Sequence, residues 1–190
     1  MVLVSVLAVL GAALASSALA ASDRAKKRVY VDGDSIAFGT NLFLPRFLPG
    51  WTITSSIGVS RHASDGAATI EERGATLPRV VVVNLGTNDD PSAVSVFASY
   101  VRRVVRAAGS HRCVIWATIV RPPYAGVSYD GLNGALLDAA AASKSFHVFD
   151  WRELARAHPA WFGADGVHPS IPGYRVRAKQ LAAFIRSTCG

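Results

Sequence analysis

Val80-Val81-Val82-Val83-Asn84-Leu85, followed by Gly86-Thr87-Asn88-Asp89, is the stretch whose reading decides the fold. Four valines and a leucine around one Asn leave no regular polar face for solvent. A half-wet strand alternates apolar and polar residues, whereas a strand covered on both faces reads as a continuous apolar run. The β-branched side chains favour strand over helix. The Gly-Thr-Asn-Asp that follows marks a turn. This segment predicts an inner strand of a parallel sheet with a polar loop at its carboxyl end.

The same pattern extends in both directions. Towards the N-terminus, Val29-Tyr30-Val31 is a strand that stops at Asp32-Gly33-Asp34-Ser35, where a helix starts. Pro45 and Pro49 break the segment leading to Trp51, Thr52 to Ile57 is a second strand, and Ala67 to Arg73 a short helix. Towards the C-terminus, Pro91-Ser92 opens a helix through Ala108, with Val94, Phe97, Val101, Val104 and Val105 on one stripe. Cys113 to Val120 is a fourth strand, Leu132 to Ser143 an Ala-rich helix, and Phe146 to Phe149 a fifth strand. Ile171 to Ser187 closes the chain as a helix. Strands alternating with helices predict one doubly wound, flavodoxin-like α/β domain: a five-stranded parallel sheet with helices on both faces. Ligands in such sheets bind beyond the carboxyl ends of the strands. The polar clusters fall there: Asp32 to Ser35, Gly58 to His62, Gly86 to Asp89, Asp150, and Asp165 to His168.

The 190 residues, 51% hydrophobic and 17% charged, suffice for one domain, assigned to 29–190. Residues 1–20 contain no Asp, Glu, Lys or Arg and end in Ser17-Ala18-Leu19-Ala20, a small-x-small pattern. They read as an export signal cleaved after Ala20. The alternative is a retained anchor, since about 20 apolar residues can just span a bilayer. Residues 21–28 form a basic linker with Arg24, Lys26, Lys27 and Arg28. With the net charge of +7, this cluster is read as attraction to an anionic cell-envelope surface, or as a flank that keeps the N-terminus soluble. The other Arg residues are scattered without interleaved aromatics, so no nucleic-acid partner is expected. Export permits one disulfide, and Cys113 and Cys189 have only each other. Cys113 opens a strand and Cys189 follows the last helix, both at the edge opposite the polar clusters.

Three clusters carry chemistry. Ser35 lies at a strand-to-helix turn whose amides face developing negative charge; the same position suits a helix N-cap. Asp165-Gly166-Val167-His168-Pro169 spaces a carboxylate three residues from an imidazole across a Gly turn. That spacing lets Asp165 hold His168 Nδ1 and leaves Nε2 to take a serine proton. Asn88, directly after the buried strand, can donate to an oxyanion.

Together Gly33-Asp34-Ser35, Gly86-Thr87-Asn88-Asp89 and Asp165-Gly166-Val167-His168-Pro169 resemble the SGNH, or GDSL-like, hydrolase family. The resemblance implies Ser35 as nucleophile, His168 as base, Asp165 as its orienting partner, and Asn88 and the Ser35 N–H as oxyanion donors. It implies a serine esterase acting on short-chain or carbohydrate O-acyl esters, or an O-acyltransferase with the same triad. The family's second block departs: Ser60 stands where a Gly is expected, with Gly58 two residues early. The Ser60 N–H is the candidate third donor. Asp34, Arg61, His62 and Trp151 are candidates to line the substrate mouth.

Two rival readings use the same residues. Asp32-Gly33-Asp34 also fits an Mg-dependent aspartyl-phosphate phosphatase, but no Lys occurs between Lys27 and Lys144 to serve it. A binding module of the same fold is the other, favoured by Ser60. No metal-ligand spacing or dinucleotide glycine pattern appears, so no cofactor is expected. The partner is read as a small-molecule or carbohydrate ester and the protein as a monomer.

Overall fold

A computed structural model of the chain describes residues 27–190. The export segment 1–20, together with Arg24 and Lys26 of the linker, lies outside the described residues. Val80–Asn84 is β3, buried along its whole length. Around it stand β1 (Arg28–Gly33), β2 (Thr52–Ile57), β4 (Cys113–Ala117) and β5 (Phe146–Phe149). The sheet has the order β2-β1-β3-β4-β5 and every pair is parallel. This is the doubly wound, flavodoxin-like order, with its switch point between β1 and β3.

The valine run works as a two-sided wall. Val81 and Val83 join Tyr30, Trp116 and Phe146 in one core layer. That layer lies under α3 (Ala63–Arg73), α4 (Val94–Ala108) and α5 (Asp130–Ala142). Val80 and Val82 join Val29, Val31 and Ile115 in the opposite layer. It packs on α1 (Ser35–Asn41), α2 (Leu44–Phe47), α6 (Trp151–Arg156) and α7 (Ile171–Cys189). Fully burying each valine contributes roughly 1.5–3 kcal/mol, so the run anchors both layers at once.

Several element boundaries differ from the sequence reading, each for a polar reason. α3 begins at Ala63 rather than Ala67, because its first turn is tied by side chains. Asp89 accepts from the Ala63 N–H at 2.9 Å and Asp65 from the His62 N–H at 3.0 Å. β4 stops at Ala117 rather than Val120. Beyond it the Asn133 amide takes both backbone groups of Ile119, at 2.7 and 2.9 Å, replacing a strand neighbour. Pro45 starts the short α2 instead of merely breaking the segment, as a proline in a first helical turn can. Among the described residues no helix is long and apolar enough to cross a membrane.

Cys113 and Cys189 are joined as a disulfide with their Cα atoms 5.8 Å apart, closing 76 residues of chain. It pins the start of β4 to the end of α7, at the sheet edge away from Ser35. Restricting a loop of that length in the unfolded chain is worth about 2–4 kcal/mol. Urea unfolding with and without reductant is expected to show a loss of that size, and a Cys113→Ala/Cys189→Ala double variant the same loss without reductant.

Candidate active site

The site assembles at the switch point. β1 delivers Gly33 into a turn so close that a Cβ there would sit 2.2 Å from Ala37 Cβ and 3.1 Å from the Asn84 carbonyl. Only glycine fits. Asp34 follows, fully buried, and its Oδ1 caps α1 by accepting from the Ile36 N–H at 2.9 Å. The cap is therefore Asp34 and not Ser35, which leaves the Ser35 hydroxyl uncommitted at the first turn of the helix. Burial pushes the Asp34 carboxyl up, against the opposing effects of the Ile36 N–H and the Arg177 charge. Asp34 points inward and does not line the substrate mouth, contrary to the sequence expectation.

The loop before α7 brings Asp165 and His168 to Ser35. Asp165 Oδ1 accepts from the backbone N–H groups of Val167 and His168 at 2.9 and 3.0 Å. Gly166 takes φ of +66°, which closes this turn. Asp165 Oδ2 is then left to His168 Nδ1, at 2.7 Å, and His168 Nε2 lies 2.9 Å from Ser35 Oγ. The three groups form one chain of hydrogen bonds across 133 residues of sequence. The hydrogen bond with His168, followed by those two backbone donors, holds the Asp165 carboxyl down at about 2. It is thus ionised at any pH near neutrality, as an orienting acid must be.

The loop is supported from below by aromatics. Trp151 is 2% exposed and stacks on Trp161 at 5.6 Å and on Phe149 at 6.4 Å. This corrects the reading of Trp151 as a pocket wall. Its ring is core, and it steadies the segment that carries Asp165 and His168.

The third side comes from the loops after β2 and β3. Asn88 borders the cleft with Ser35 and His168, and its Nδ2 donates to the Arg61 carbonyl at 3.1 Å. An amide nitrogen has two hydrogens, so one orients Asn88 and the other is left for a ligand. Arg61 turns away from the mouth, which also corrects its reading as a substrate-lining residue. Its guanidinium lies 3.1 Å from the buried Asp32 carboxylate and donates to the Ser56 carbonyl and Thr69 hydroxyl, each at 2.8 Å. His62 remains at the surface, where it borders the cleft next to Ser60. Ser60 has φ of +59°, the left-handed region that favours glycine.

Two open compartments meet here. One, of about 410 Å³, contains Ser35, Asn88, Arg121, Tyr124, Asp165 and His168. The other, of about 520 Å³, adds Ser60, His62 and Asp90 and shares Asn88, Arg121 and Tyr124. Among the described residues no group of three His, Cys, Asp or Glu side chains is placed to hold a metal ion.

The model of the GDSL-like lipase/acylhydrolase family matches residues 32–176. The chain belongs to this family. No curated protein sequence matches it closely enough to count as a relative. Solved structures share the fold at low identity. The C-terminal catalytic domain of peptidoglycan O-acetyltransferase A from Streptococcus pneumoniae, solved with a methylsulfonyl adduct, is 22% identical with a TM-score of 0.67. The match covers 85% of this chain and 92% of that one. A family 3 carbohydrate esterase from Clostridium thermocellum is 18% identical with a TM-score of 0.66, covering 86% and 98%. A GDSL-like lipase from Bacteroides thetaiotaomicron is 19% identical with a TM-score of 0.62, covering 85% and 89%.

Within this GDSL-family site, sequence reasoning missed Arg177. It is 1% exposed on α7, and donates to Thr40 Oγ1 at 3.0 Å and Asn84 Oδ1 at 2.7 Å. Its signal was a cation on the apolar face of the last helix, in Tyr174-Arg175-Val176-Arg177.

Two predictions follow from the backbone and the burial. Because a non-glycine residue in the left-handed region costs roughly 1 kcal/mol, Ser60→Gly is expected to raise unfolding stability by about 0.5–1 kcal/mol, read from urea midpoints. Asp32, buried and pushed up to about 6 chiefly by desolvation, carries a stability cost when ionised. Its folded value lies above the unfolded one, so the cost is present at pH 7.5 and relieved as pH falls through 6. Wild type should therefore gain about 1 kcal/mol relative to Asp32→Asn between pH 7.5 and pH 5.

Proposed function

We propose that the protein is a serine acyl-ester hydrolase that works through an acyl-enzyme on Ser35, with short acyl groups on small alcohols or carbohydrates as its substrates. The observation that carries this is the continuous chain Asp165–His168–Ser35, at 2.7 and 2.9 Å, opening into a solvent-facing cleft. In this reading Ser35 Oγ attacks the ester carbonyl carbon while its proton passes to His168 Nε2, and Asp165 steadies the imidazolium. The carbonyl oxygen becomes an oxyanion held by the N–H groups of Ser35 and Ser60 and by Asn88 Nδ2. As the tetrahedral adduct collapses, the C–O bond to the alcohol breaks and His168 returns its proton to the leaving oxygen. Water, deprotonated by His168, then attacks the acyl-serine and releases the acid.

The second compartment supports a further reading, O-acyl transfer, in which a sugar hydroxyl takes the place of that water. The two routes share the acyl-enzyme and differ only in the attacking oxygen. The solved structures of similar fold include both an O-acetyltransferase and a carbohydrate esterase. Export through residues 1–20, and attraction of the basic linker to an anionic envelope, are parts of the same proposal.

Hydrolysis of p-nitrophenyl acetate and butyrate by protein starting at residue 21, with EDTA present, tests it. Turnover is expected to survive EDTA and to fall by 10³-fold or more in Ser35→Ala and His168→Ala, on the order seen when triad members are removed. Butyrate is expected to be the poorer substrate. Loss of turnover with EDTA alone, or turnover that Ser35→Ala leaves intact, contradicts the mechanism.

A further inference from the structure

We propose that Asp32 and Arg61 are positioning residues that set the oxyanion donors contributed by Ser60 and Asn88. The proposal rests on the serine-ester reading above. Neither side chain reaches the cleft, so neither is a catalytic residue.

The loop from Gly58 to His62 has an awkward task. It must hold Ser60 in a left-handed conformation, at φ of +59°, without the glycine that makes such a turn inexpensive. The ends of the loop are tied by the Gly58 N–H to the Gly33 carbonyl at 3.1 Å and by the His62 N–H to Asp65 at 3.0 Å. Between them runs a long contact of the Arg61 N–H with the Gly58 carbonyl, at 3.4 Å. The restraint between those ends comes from the Arg61 side chain. Its guanidinium is folded back into the protein, 3.1 Å from Asp32 Oδ1, and is fixed by the Ser56 carbonyl, the Ser56 hydroxyl and the Thr69 hydroxyl. Asp32 is itself fully buried and held by the Tyr30 hydroxyl at 2.9 Å. The Arg73 guanidinium, 4.3 Å from the Tyr30 ring centroid, closes the same cluster.

The backbone of Arg61 then reaches the chemistry on both sides. Its amino side is the peptide bond to Ser60, whose N–H has no protein acceptor among the described residues. Its carbonyl accepts from Asn88 Nδ2 at 3.1 Å and so sets the orientation of the amide. One ion pair, buried on its Asp32 side, therefore helps fix the backbone from which two of the three oxyanion donors take their aim. Such donors act only when they point at the position the oxyanion will occupy, and removing one costs on the order of 10²–10³ in kcat. A small rotation of Arg61 would spoil both.

A structural role and a positioning role predict different numbers. The active fraction of each variant is first fixed by the p-nitrophenol burst, so that kcat refers to working sites. In Asp32→Asn, kcat for p-nitrophenyl acetate is expected to fall roughly tenfold to a hundredfold with KM within about twofold, because ground-state binding is untouched. Arg61→Lys keeps a cation beside Asp32 but cannot fork to Ser56 and Thr69, and is expected to show the same split. Combining Asp32→Asn with Asn88→Ala gives the decisive reading. If Asp32 acts through the Asn88 donor, its cost shrinks several-fold in that background, whereas a general loss of stability adds independently. Full kcat in folded Asp32→Asn or Arg61→Lys, or strict additivity with Asn88→Ala, overturns the proposal. Turnover that persists in Ser35→Ala overturns instead the serine reading on which it rests.

Discussion

The geometry of the site depends on one buried cation. Arg177 holds α7 to α1 through Thr40 and to β3 through Asn84, at 3.0 and 2.7 Å. Ser35 begins α1 and His168 lies just ahead of Pro169 and the Ser170 cap of α7, so the register between these helices sets the register between hydroxyl and imidazole. Close approach adds to it, since a Cβ at Gly39 would lie 2.3 Å from the Tyr174 ring. Burying a guanidinium costs several kcal/mol unless it is fully partnered. Here two hydrogen bonds, the Asp34 charge and the faces of Phe149 and Trp151, at 5.8 and 5.4 Å, offset part of that cost. Arg177 Nε has no hydrogen-bond partner among the described residues. Burial still pulls the Arg177 pKa down to about 10, which leaves it charged at neutral pH.

The rest of the polar apparatus follows a related rule: carboxylates at the carboxyl edge of the sheet tie down the loops and helix starts around them. Asp34 caps α1, Asp89 receives the first N–H of α3, Asp150 takes the Glu153 N–H and the Thr118 hydroxyl, and Asp32 fixes Arg61. Asp165 alone among these faces the His168 imidazole. Loops that must present donors at fixed angles are thereby anchored to the sheet rather than left to their own turn preferences. GDSL-family membership accounts for the order of the blocks, and these local contacts account for how they are held.

Much of this was legible in the sequence, and its limits have physical causes. The Val80 to Val83 run betrayed a doubly covered strand because apolar continuity is a local property. The pairing of Asp165 with His168 was readable because three residues across a glycine turn constrain geometry on their own. Trp151, Arg61 and Asp34 were misread for a common reason. Each stands at the carboxyl edge of the sheet, but the direction of its side chain is decided by contacts that its position alone does not reveal: Trp161 for Trp151, Asp32 for Arg61, the Ile36 N–H for Asp34. Arg177 went unseen because a cation on a helix normally signals solvent, and only the meeting of α1, β3 and α7 supplies its partners. The missing turn at Leu44 to Phe47 and the early start of α3 at Ala63 likewise depend on a proline at a helix start and on a carboxylate 26 residues away.

The central claim is that Ser35, activated by His168, becomes acylated. Intact-protein mass spectrometry after brief mixing with a slowly released acyl or sulfonyl donor, followed by peptide mapping, measures this directly. The account predicts a single adduct per chain on the peptide containing Ser35, absent in Ser35→Ala and strongly slowed in His168→Ala. An adduct confined to another residue, or steady ester turnover with no covalent species at Ser35, would contradict it.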